Sequence, residues 1–190
     1  RKREARECSY FEFDENKNKT IVYLNNDVED VYSLVHEFMH CLNSNEEVVT
    51  VVTKFYTESF STFIELMLCD YITENYPKYE KDSMKMRRNL FESLYQNNIK
   101  LKFILNFVDM KMSGKEVNSF MVAKTLGEFD YNKVPLELVI DLFYEFIDEI
   151  KIDIEDAYSK YLGYTVGMFL GCKMYDIAKN KKRQKEIFDI

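Results

Sequence analysis

Apolar residues recur from Val28 through Val31, Leu34, Val35, Phe38, Met39 and Leu42, the three- and four-residue steps of one helix face. Asn25-Asn26-Asp27 supplies a cap ahead of that run, and Asn43-Ser44-Asn45 ends it. Upstream the pattern is that of strands. Tyr10-Phe11-Glu12-Phe13 and Thr20-Ile21-Val22-Tyr23-Leu24 are β-prone runs split by a polar turn from Asp14 to Lys19, which predicts a short hairpin. A second helix is expected from about Glu47 or later to Thr73. Its opening, Val48-Val49-Thr50-Val51-Val52, is β-branched and fits an extended linker as well as a helix, whereas the pattern from Tyr56 onward is helical. Asn75 to Lys78 breaks it. Helical segments follow over roughly 80–111, 115–128, 135–150 and 154–180. Pro135 suits the first turn of its helix, and Ser113-Gly-Lys-Glu116 has the spacing of a capping box. The charged stretch from Lys179 to Lys185 reads as a solvated helix end.

Composition supports long helices. Only 5 glycines and 2 prolines punctuate 190 residues, too few for a many-turned sheet protein. The length suits one well-buried core, and no repeat or low-complexity linker divides it, so residues 1–190 are expected to form a single domain of mainly α class. A formal net charge of -7 argues against nucleic acid as the main partner. No stretch of 18 residues is free of charge, which argues against a membrane span. Cys8, Cys41, Cys69 and Cys172 form no CxxC pair, and no apolar run follows the N-terminal Arg-Lys-Arg-Glu. Free thiols in a reducing, cytoplasmic setting are therefore the expectation.

The chemistry lies in the first helix. His36 and His40 are the chain's only histidines and stand four residues apart, on one helix face, so both imidazoles can reach one zinc ion. Glu37 sits beside them, placed to act on water without being a ligand. Tetrahedral catalytic zinc needs a third protein ligand and an open position. With no histidine left, Glu58 or Glu65 on the second helix is the best source, and their seven-residue spacing lets both face the first helix. Spacing alone does not choose between them. Glu46 and Glu47 fall just past the motif helix, and Cys41 points to another face as a small buried hydrophobe. Glu29, Asp27 and Asp30 suit capping and the helix dipole, while Arg87-Arg88 and Lys181-Lys182-Arg183 read as solvated faces.

The stretch from Ile21 to His40 contains Asp30-Val-Tyr-Ser-Leu-Val-His36-Glu-Phe-Met-His40 and resembles the oligoendopeptidase F and thimet oligopeptidase family. Its members carry Asp-Val-x-x-Leu-x-His-Glu-x-x-His after a strand and a short loop. Thr57-Glu58-Ser-Phe-Ser61-Thr-Phe-Ile-Glu65 is similar to the family's Glu-x-x-Ser-x-x-x-Glu signature. The resemblance implies a zincin-like helical core with a small N-terminal β-hairpin and zinc held by His36, His40 and Glu58. It also implies that Glu65 and Ser61 support the site. Ala157-Tyr158-Ser-Lys-Tyr161-Leu-Gly-Tyr164-Thr-Val-Gly167 resembles the tyrosine-rich segment that faces zinc in the family. It implies that one of Tyr158, Tyr161 and Tyr164 binds the scissile carbonyl, and packing is the competing role of each. Met39 stands where the family usually has Gly, a third histidine is missing, and the spacing from His40 to Glu58 is short. Members are far longer, so the resemblance implies a catalytic core or C-terminal fragment whose partner would be an N-terminal helical region walling a substrate channel.

The expected activity is zinc-dependent hydrolysis of peptide bonds in short or unfolded peptides, with Glu37 as base and the Thr20 to Leu24 strand pairing with an extended substrate. Two other readings compete. One is a non-catalytic peptide-binding or structural module that kept the metallopeptidase fold, and the other is a metal-dependent hydrolase of esters or non-protein amides.

Overall fold

The computed structural model describes residues 10–14, 19–23, 28–43, 51–114, 119–152 and 154–180. The protein is mainly helical. Strands β1 (Tyr10–Asp14) and β2 (Lys19–Tyr23) pair antiparallel, with Tyr10 opposite Tyr23 and Asp14 opposite Lys19. Helices α1 (Glu29–Asn43) and α2 (Val51–Asn75) follow. A single 3-10 turn, Pro77–Tyr79, leads into α3 (Glu80–Met112), and α4 (Ser119–Gly127), α5 (Leu136–Ile152) and α6 (Ile154–Lys179) complete the order. The expected cap Asn25-Asn26-Asp27, most of the hairpin turn, Glu46, Glu47 and Lys181-Lys182-Arg183 lie outside the described residues, as do the side chains of Cys8 and Cys41.

Local chemistry accounts for the start of α5 and the end of α3. Pro135 sits one position before α5 rather than inside its first turn, and its carbonyl accepts the Val139 amide at 3.2 Å. Ser113 and Gly114 close α3, and Glu116 of the expected capping box lies outside the described residues. The Ser113 amide donates to the Asp109 carbonyl at 3.0 Å, and Gly114 takes φ 70°, the left-handed turn at which glycine commonly stops a helix. Val51 and Val52 are helical despite their β-branched side chains. Among the described residues, no helix is long and apolar enough to cross a membrane.

The chain divides into two compact units, one of Arg1–Phe91 with Val166–Ile190 and one of Glu92–Thr165. In the second unit Phe103, Ile104, Phe107, Val139 and Leu142 are buried, and the Phe143 ring lies 5.4 Å from that of Phe103 and 6.3 Å from that of Phe107. Burying each such ring contributes about 1.5–3 kcal/mol. In the first unit Tyr32 of α1 is buried with Cys69 and Ile72 of α2, and Met86 of α3 packs against them. Cys69 and Cys172 are free thiols. Farther along α2, the Asp70 carboxylate meets Arg87 of α3 and accepts from Tyr175 at 2.8 Å and Lys179 at 2.6 Å, both on α6. Arg87 is therefore a tie between helices rather than a solvated face, while Arg88 is exposed.

Candidate metal centre

Four-residue spacing on α1 puts the two imidazoles on the side facing α2, with their Nε2 atoms 2.9 Å apart. Two turns of α2 face them. Glu58 brings one carboxylate oxygen to 3.8 Å from His36 Nε2 and the other to 3.5 Å from His40 Nε2. Glu65 addresses the opposite edge of the first ring, its Oε2 standing 3.3 Å from His36 Nδ1. Spacing leaves the two glutamates equivalent, whereas the geometry separates them by the nitrogen each one meets. The Ser61 hydroxyl donates to the His36 carbonyl at 3.3 Å and so ties the two helices together at this level.

One ligand atom from each of His36, His40 and Glu58 falls within 4.8 Å of the others. Ligands about 2.1 Å from a tetrahedral ion stand about 3.4 Å from one another; here the two nitrogens are 2.9 Å apart, and each has a different Glu58 oxygen at 3.5 or 3.8 Å. Glu65 occupies His36 Nδ1 and leaves Nε2 turned toward the other two, the arrangement in which an outer carboxylate orients a ligating imidazole. Its Oε2 is buried, and the ion-pair contact with His36 is the one polar contact it makes among the described residues.

Electrostatics point the same way. Burial opposes a charge on His36, yet Glu65, Glu58 and Glu37 outweigh it and raise the ring from 6.5 to about 9. His40 is driven down to about 4, first by burial and then by the charge on His36. Burial pushes Glu58 up to about 7, with His36 opposing and Glu65 and Glu37 adding to the rise. Glu37 is half-buried and also raised, by burial and by Glu65 against the pull of His36. Glu58, Glu65 and Glu37 thus act on two imidazoles of which only His36 is pushed toward its charged form, so positive charge is in short supply even with Glu58 pushed toward its neutral form. A divalent cation fits this donor set and its deficit.

Tyr158, Tyr161 and Tyr164 belong to the second unit. Tyr161 is 3% exposed in that unit's core, with the Lys100 and Lys160 ammonium groups 5.6 and 5.2 Å from its ring centre. Tyr158 packs against the same core, half-buried. Gly167 and Gly171, to which the sequence pattern assigns no role, meet α2 in the first unit at the turns of Glu58 and Thr62. Their signal was a four-residue glycine repeat, Gly163, Gly167 and Gly171, in a glycine-poor chain. No family model, curated protein or solved structure matches the chain.

Proposed function

We propose that the chain is a zinc-dependent peptidase of the oligoendopeptidase F and thimet oligopeptidase type, acting on short or unfolded peptides in the cytoplasm. The zincin-like core and its small N-terminal hairpin belong to the same proposal. One observation carries it: His36 Nε2, His40 Nε2 and the Glu58 carboxylate converge, while Glu65 stands at the remaining nitrogen of His36.

His36, His40 and Glu58 would hold the ion. When bound, zinc supplies Lewis acidity toward a carbonyl and lowers the pKa of water toward neutrality. Glu65, 3.3 Å from Nδ1 of His36, would hold that ring with its Nε2 toward the ion. Glu37, raised by its half-buried setting, has a proton affinity nearer neutrality than an exposed carboxylate. That suits a group which takes a proton from the attacking water and returns it to the leaving amine.

Glu37→Gln tests the assignment. Zinc binding is expected to persist while hydrolysis of a mixed peptide library falls by about 10²–10⁴-fold. Equal turnover by both proteins removes Glu37 as the base. A second reading, a metal-holding module without turnover, is favoured by the lack of a third histidine. It predicts zinc binding with no peptide cleavage by the unaltered chain even at high protein concentration.

A further inference from the structure

Helix α6 meets α2 without side chains at two successive turns of the first unit. A Cβ added to Gly167 would stand 2.5 Å from the Glu58 Cβ, 2.9 Å from the Phe55 carbonyl oxygen and 3.4 Å from the Ser59 amide nitrogen. At Gly171 the same atom would meet the Ser59 carbonyl oxygen at 2.6 Å and the Thr62 Cβ at 2.7 Å. Backbone oxygens cannot swing aside as the tip of a side chain can, so any residue larger than glycine forces one helix away from the other.

The two turns differ in what they carry. Gly171 backs Ser59 and Thr62, which hold no metal-facing group, whereas Gly167 backs the turn that carries Glu58. Ser61 holds α2 to the α1 backbone at His36. We infer that Gly167 is a positioning residue for the metal centre: its bare Cα lets α6 support α2 directly behind Glu58 and sets the depth of that carboxylate against His36 and His40. The inference rests on the metal reading proposed above. Sites held to about 0.5 Å depend on such support, because a ligand that can retreat loses affinity before the fold is lost.

Gly167→Ala and Gly171→Ala separate positioning from packing. Both overpack the same helix pair, so both are expected to lower Tm. Gly167→Ala should also weaken zinc at least tenfold in chelator competition and shift the visible absorption of the cobalt-loaded protein. Gly171→Ala should keep zinc affinity within twofold of the unaltered chain and leave the cobalt spectrum unmoved. Equal losses of affinity in the two variants, or an unchanged Gly167→Ala, overturn the inference. If the unaltered chain binds neither zinc nor cobalt, the metal reading itself fails and takes the inference with it. Should Gly167→Ala not fold, 15N-glycine labelling of the unaltered chain, with its 5 glycines, carries the test. Zinc is expected to move the Gly167 amide signal more than those of Gly114 and Gly127, and a Gly167 signal that stays in place overturns the inference.

Discussion

Helix α2 carries two buried or half-buried acids whose surroundings are opposite in kind. Asp70 meets Arg87, Lys179 and the Tyr175 hydroxyl, and these partners outweigh burial and hold its carboxyl below the ordinary 3.8. Twelve residues earlier Glu58 has no such fixed partners. Burial lifts it to about 7, and the nearest positive charge, on His36, is shared with Glu65 and Glu37. An acid built for stability is neutralised by its own chain. One whose surroundings leave negative charge in excess is suited to an exchangeable cation, and its cost to the metal-free fold is offset when that cation binds. The contrast sets the α1–α2 face, where the proposed metal centre lies, apart from the α2–α3–α6 junction, where Asp70 is tied to its partners.

Exchanging each acid for its amide should break this symmetry in opposite directions. The largest effect is expected for Glu58→Gln. Zinc affinity should fall more than about 100-fold, or about 2.7 kcal/mol, while metal-free stability changes by less than about 1 kcal/mol because a raised carboxyl is already partly neutral. Chelator competition and denaturant melts of the same samples give both numbers. Glu65→Gln should follow, lowering zinc affinity by about 10–100-fold, the usual cost of losing a group that orients a ligand.

Asp70→Asn is expected to leave zinc affinity unchanged and to lower stability by about 1–2 kcal/mol, since the cluster is partly solvated. Asp70 should also show itself in the pH dependence of stability. The folded value of Asp70 lies below the unfolded one, so its contribution is present above about pH 4 and is lost as pH falls through the folded value. The stability gap between the unaltered chain and Asp70→Asn should therefore narrow on acidification below about pH 4, as urea melts at a series of pH values would show.

The parts of this arrangement that follow from one helix's own period were open to reading from residues alone. His36 and His40 share a face because they are four apart, and Glu58 and Glu65 share one because they are seven apart. Which glutamate meets which nitrogen depends on how far α2 is slid along α1, and no local pattern records that offset. Arg87 looked like half of a solvated basic pair because its partner lies 17 residues away on another helix. Gly167 and Gly171 are visible as spacing, but only the packed helices reveal that Glu58 stands on the other side of the first. Val51 and Val52 show the converse, a β-branched start that the rest of a 25-residue helix carries along.

The most direct test is an anomalous difference map at the zinc edge from crystals of the zinc-loaded chain. One strong peak is expected about 2.0–2.2 Å from His36 Nε2, His40 Nε2 and a Glu58 carboxylate oxygen, with Glu65 on His36 Nδ1 and outside the ligand set. A map without that peak, or with zinc held by other residues, would contradict the proposed metal centre.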